Sequence, residues 1–350
     1  MKPNRSNQQT HLRAGTWIRL TLLLALALIA PDDFYASPQP DKDLAQQILA
    51  QQIFDTMVQL PGNKPGNRLV HAKGIVCQGT FAPSKGAATV SQAAHFNSAT
   101  VPIVVRFSDA APDPGIADVA PGSAPRGMAI RFKLPDGNET DIVAFSHNGF
   151  PVGTGEDFLG LQKAILATDP TKPHPWPVEV FLSTRPRALK FVQDPKPTPI
   201  SFATEAFFGN NAFFFINQKG LRQAGRYQIL PVAGQHYVSD AEGKSKTPDF
   251  LIEELKTHLP EGPIKFQLLL QLPNAGDATN DASIVWPDDR TTIELGTITI
   301  TTVDPDSYAT QKTLAFDPTR LTDGIELSDD PLPALRSRVY RLSRIHRQGQ

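Results

Sequence analysis

Arg68-Leu-Val-His71-Ala-Lys-Gly74-Ile-Val-Cys77-Gln-Gly79-Thr-Phe81 is the stretch on which the reading of this chain turns, and Val104-Val-Arg106-Phe107-Ser108 is its companion. Both are rich in β-branched residues and alternate with period two, which predicts strands, with His71 inside the first and Ser108 ending the second. A histidine on a rigid strand, an arginine three residues before it and a hydroxyl on the neighbouring strand together make a site able to move one proton. Taken by itself His71 reads first as a histidine satisfied within the structure, and the rest of the chain reverses that.

The same pattern spreads outward from this pair. Residues 109–125 are rich in Pro, Gly, Ala and Asp and lack periodicity, so they read as loop. Residues 126–132 and 140–145 read as strands joined by the turn at Pro135-Asp-Gly137, and 212–217, 226–233, 263–273 and 292–303 return to sheet. About eight strands with long connections favour an α+β chain built on a closed antiparallel barrel with flanking helices. Residues 42–58 are predicted as an amphipathic helix, capped by Asp41, with Leu44, Ile48, Ile53 and Met57 inward. Residues 155–167 read as a second helix capped by Thr154, followed by a proline-punctuated crossover.

Composition narrows the class. Lys2, Arg5, Arg13 and Arg19 precede an apolar run from Leu20 to Ala30, with small residues at Ala30 and Ala36. A run of about 11 residues is too short to cross a bilayer core of roughly 30 Å, so residues 1–36 read as an export signal, or else as a retained anchor. No twin-arginine pair is present, which points to the general secretory route and a periplasmic or secreted product without stable membrane insertion. A formal net charge of -1 gives no electrostatic case for nucleic acid. The single cysteine, Cys77, cannot form an internal disulfide, so burial must hold the fold. The 32 prolines in 350 residues exceed the usual share of roughly 5% and imply long irregular connections.

The C-terminal end carries a second chemical signal. Asp329-Asp330-Pro331 reads as a helix start, and Leu332, Leu335, Val339, Leu342 and Ile345 form one stripe. Arg336, Tyr340 and Arg347 share another face. The segment is either a basic surface helix with an exposed tyrosine or a device for holding a phenolate ligand. A phenolate can serve as an axial ligand to haem iron, and a guanidinium one turn away favours that charged form.

Together these segments resemble the haem catalase superfamily, and within it the small catalase-related peroxidases. Arg68-x-x-His71-Ala-Lys-Gly74 with Gly79-Thr-Phe81 looks like the family's distal-histidine strand, and Arg106-Phe107-Ser108 like the next strand. Arg126-Gly127-Met-Ala-Ile-Arg131-Phe132, Trp286-Pro287-Asp-Asp-Arg290 and Phe316-Asp-Pro-Thr-Arg, ending in Arg336-Ser-Arg-Val-Tyr340, follow in family order. The likeness runs from about residue 65 to 347, and 37–350 is expected to be one haem-binding domain. It implies His71 as distal acid–base group, Ser108 as its orienter, Tyr340 as proximal iron ligand and Arg336 as its charge partner; catalases are themselves the known instance of tyrosine ligation. Arg68, Arg106 and Arg347 would hold the propionates of a removable haem b. Phe158 and Phe132 are candidate pocket walls or ordinary core rings.

The chain departs from the larger catalases in two ways. Their distal asparagine falls where this sequence reads Ala144-Phe145-Ser-His-Asn148-Gly-Phe150, so either Phe145 takes the place directly or Asn148 does after a short gap. The chain also stops soon after the tyrosine helix. The expected activity is peroxide reduction with a small organic electron donor, with hydrogen peroxide dismutation weak, in a monomer or homo-oligomer. The rivals are a haem isomerase or dehydratase for fatty-acid hydroperoxides, and a haem carrier, which would have no use for a His71–Ser108 pair. Cys77 as the iron ligand is disfavoured, because six residues of strand separate it from His71 by roughly 20 Å.

Overall fold

Nine strands follow from the alternating segments: β1 Gly74–Pro83, β2 Val101–Ser108, β3 Gly127–Lys133, β4 Glu139–Phe145, β5 Phe207–Ile216, β6 Arg222–Pro231, β7 Ile264–Gln271, β8 Thr292–Val303 and β9 Ile325–Leu327. The structure is a computed structural model describing residues 39–349; the expected export signal, 1–36, lies outside the described residues. All pairings are antiparallel, in the order β4-β3-β2-β1-β8-β7-β6-β5-β9. The pair Phe145↔Phe208 joins β4 back to β5, so eight strands close into a barrel and β9 caps the far half of β5. Closure leaves no open edge among those eight.

Strand parity decides what the barrel holds. Val105 and Phe107 of β2, Ile130 and Phe132 of β3, and Phe266, Leu268, Ile298 and Ile300 across the barrel are all buried in its core. Cys77 belongs to the same core, where burial pushes its thiol up to about 12. The opposite parity of β2, β3 and β4 points outward, and the register lines it up in rows: Ser108↔Gly127↔Phe145, Arg106↔Ala129↔Val143, then Arg131↔Asp141. Burying full aliphatic and aromatic side chains stabilises by roughly 1.5–3 kcal/mol each, which holds this chain without a disulfide.

The outward rows are covered by helices. The N-terminal helix Gln39–Val58 begins before Asp41, which is therefore inside it rather than its cap. Its buried stripe is Leu49, Ala50, Ile53 and Met57, one residue out of phase with Ile48, which is exposed. That stripe packs on Leu335 and Val339 of the C-terminal helix Leu332–Arg347 and on Leu69 and Leu159. The helix Gly155–Leu166 starts at Thr154, whose Oγ1 accepts from the Asp157 amide at 3.2 Å. The C-terminal helix starts one residue later than expected, with the Asp330 Oδ1 accepting from the Leu332 amide at 2.9 Å. Among the described residues no helix is long and apolar enough to cross a membrane.

Candidate active site

His71 is not on a strand. The segment before β1 leaves the ladder, and His71 takes a left-handed backbone with φ 53°. Such a conformation is uncommon outside glycine and persists only where the surroundings fix it. Three anchors do so. The His71 and Ala72 amides donate to the carbonyls of Ala110 and Ala111 at 3.0 and 3.1 Å. Arg106 donates through Nη2 to the His71 carbonyl at 2.8 Å. Lys73 is buried and donates to Asp118 and to the carbonyls of Ile116 and Pro248.

The imidazole lies against the first outward row. His71 Nδ1 is 3.1 Å from Ser108 Oγ, a hydrogen bond. Burial, then the charges of Arg106, Arg336 and Arg68, push the His71 pKa down to about 3, so the ring is neutral at physiological pH. Gly127, cross-strand from Ser108, must be glycine: a Cβ there would stand 2.5 Å from Ser108 Oγ and 2.9 Å from His71 Nδ1.

Tyr340 is held by its own helix. Its hydroxyl accepts from Arg336 Nε at 3.1 Å and Nη2 at 2.9 Å. Arg336 Nη1 donates to Asn211 Oδ1 at 2.8 Å, and Asn211 Nδ2 donates to Asp330 Oδ2 at 2.8 Å. The helix's own capping carboxylate thus ends a chain of bonds that fixes the tyrosine. Asn210 and Asn211 fall where the β5–β6 register shifts, which frees these side chains from regular alternation.

Both groups line one cavity that opens to solvent. Its apolar wall includes Val70, Ala129, Val143, Phe145, Phe316 and Val339. Its charged side is Arg68, Arg106 and Arg347. Arg106 Nε is bound to Gln311 Oε1 at 2.8 Å, while Arg68 and Arg347 converge on the Leu314 carbonyl at 2.7 and 3.1 Å. None of the three is in an ion pair among the described residues, and Arg68 Nε is buried without a partner. Burial and the neighbouring guanidiniums push Arg106 down to about 9 and Arg68 well below its ordinary value. Such clustering of cations is costly unless an anion joins it.

Three expected residues are not at the cavity. Phe132 has inward parity and packs with Phe81 and His95 in the barrel core. Phe158 stacks on Phe150 at 5.9 Å, and Phe150 meets Phe145, so Phe158 is two rings behind the wall. Asn148 is in the turn beyond β4; Phe145, last in its row, takes the wall position instead. Asn211 and Gln311 were not singled out by sequence; Gly127 was read only as part of a motif, and Asp330 only as a helix start.

A family profile described as Catalase matches residues 42–350. A catalase-related peroxidase of Mycolicibacterium paratuberculosis is 37% identical over 295 residues, covering 83% of this chain and 92% of that protein. One from Synechococcus elongatus is 33% identical over 304 residues, covering 85% and 88%. Among solved structures, a fungal catalase superposes with a TM-score of 0.72 at 20% identity over 82% of this chain, and a bacterial catalase with 0.70 at 21% over 92%. This chain spans 60% and 64% of those two, which bear on the fold alone. On the match across nearly its whole length, the chain belongs to the catalase family.

Proposed function

We propose that the chain is a haem b peroxidase that reduces hydrogen peroxide or organic hydroperoxides at the expense of a small organic donor. The catalase family supports haem, and membership supports an oxidoreductase acting on peroxide. The residues present fit the group: an apolar slot, a single fixed phenol oxygen and three buried cations that call for the two carboxylates of a porphyrin edge. Haem would supply the Lewis-acid and redox chemistry at its iron.

The observation that carries the reading is the double donation from Arg336 to the Tyr340 oxygen inside the cavity that also holds the His71–Ser108 pair. Tyr340, its phenol oxygen held as a double acceptor, would be the residue that holds the iron. Neutral His71 accepts the proton from one peroxide oxygen and returns it to the departing one, which leaves as water or an alcohol. Ser108, bonded to Nδ1, fixes the orientation of the ring for both transfers. Positioned transfer of this kind is worth about 10²–10⁴ in rate. His71→Ala should therefore retain haem while losing peroxide turnover by that factor; unchanged turnover would remove His71 from the mechanism.

Phe145 on the wall supports the donor-dependent reaction over dismutation, since among the described residues that line the cavity none carries a side-chain amide to hold a second peroxide. The same apolar wall would accept a fatty-acid hydroperoxide, the isomerase or dehydratase reading. Product analysis separates them: an alcohol that appears only with an oxidised donor marks the peroxidase, and a rearranged product without donor marks the rival. Export to the periplasm or exterior by way of residues 1–36 is part of the proposal.

A further inference from the structure

Arg68 and Arg347 line a second, smaller hollow open to solvent, together with Asn67, Tyr308, Gln311 and Lys312. One layer of guanidinium is thus shared by the two spaces. No residue lining the second hollow is acidic. Tyr308 is 72% exposed, so it adds little to the core, and Lys312 Nζ is 4.6 Å from its ring centroid. Both lie on the short helix Ser307–Thr313. Gln311 on that helix accepts from Arg106 at 2.8 Å and donates to the Gly74 carbonyl at 3.1 Å, which ties the helix to the site. The result is a cationic, aromatic-faced recess beside Arg68 and Arg347.

We propose that this hollow binds the reducing substrate, and that the substrate is a small aromatic acid bearing a phenol. The inference rests on the peroxidase reading. A carboxylate is met by Lys312, and the ring lies beside Tyr308. Each phenol gives up one electron and one proton, so two are used per peroxide: ROOH + 2 ArOH → ROH + H₂O + 2 ArO•. The O–O bond breaks, and the two phenolic protons end in the alcohol and the water. A neutral phenol lacks the anchor and should be the poorer donor.

The test uses the haem-loaded full chain with ferulate as probe and guaiacol as neutral reference. Calorimetric titration without peroxide should show ferulate binding that weakens with salt and falls about 5-fold in Lys312→Gln and in Tyr308→Leu, with Lys312→Arg restoring it. The ratio of kcat/KM for ferulate to that for guaiacol should fall by the same factor. Ferulate oxidised by the wild type but bound equally by both variants would overturn the hollow as donor site and leave the peroxidase reading intact. Variant-sensitive binding with no donor oxidised by the wild type would overturn both the donor role and the peroxidase reading.

Discussion

Gly127→Ala puts a single methyl group against the His71–Ser108 pair. Its Cβ would stand 2.5 Å from Ser108 Oγ and 2.9 Å from His71 Nδ1. Bringing both to ordinary contact near 3.4 Å needs retreats of roughly 0.9 and 0.5 Å. The 3.1 Å His71–Ser108 bond cannot survive both shifts unchanged. Displacement of a reacting group by about 1 Å costs on the order of 10²-fold in rate, and overpacking of this kind costs roughly 1–3 kcal/mol. The variant should bind haem with a wild-type spectrum, melt several degrees lower and reduce peroxide about 100-fold more slowly in stopped-flow assays. Adding Ser108→Ala removes the worse contact, so the double variant should regain most of the lost Tm, a coupling that distant sites would not show. A haem-loaded Gly127→Ala enzyme with wild-type turnover would refute the claim that the spacing of this pair matters.

Two other perturbations are equally specific. His95 is buried among Phe81, Phe96 and Phe132 with Nδ1 unpartnered, and burial pushes its pKa down to about 3. The unfolded chain therefore binds a proton that the folded chain refuses: stability is whole above about pH 6.5 and is lost as pH falls from there toward 3, at up to about 1.4 kcal/mol per unit. His71 and His147 are pushed down likewise and share the limb, so His95→Leu should make it shallower in urea melts at pH 7 and pH 5, and an unaltered limb would assign it to the other two. Asn211→Leu removes the link between Asp330 and Arg336 and leaves both buried polar groups short of a partner. It should weaken haem retention about 10-fold while the isolated proton-transfer partners His71 and Ser108 keep their bond; equal haem affinity would show that the tyrosine needs no such support.

The parts of this molecule readable in the sequence are those written in short range. Alternation marks the barrel strands, and Arg336 with Tyr340 is a contact across one helical turn. Contacts across the chain leave no such trace: Arg336 meets Asn211, and Arg106 meets Gln311, only because the barrel closes and the last helices return over it. His71 was expected on a strand because the run 68–81 alternates, yet its anchors at Ala110, Ala111 and Arg106 pull it into a left-handed turn. Phe132 was open to correction from sequence alone. If Gly127 opposes Ser108 on the site face, alternation along β3 turns Phe132 to the core. The phase of the N-terminal helix was not open in this way, since Ile48 and Leu49 are equally apolar and only packing against Leu335 and Val339 chooses between them.

The most direct test is an absorption spectrum of the protein mixed with haemin, taken after gel filtration for the wild type, His71→Ala and Tyr340→Phe. The first two should emerge coloured with a bound-haem spectrum, while Tyr340→Phe, which keeps the ring and lacks only the oxygen that Arg336 holds, should emerge without haem or with an altered spectrum. Tyr340→Phe carrying haem with the wild-type spectrum would contradict the assignment of that oxygen to the iron, and the account would fall with it.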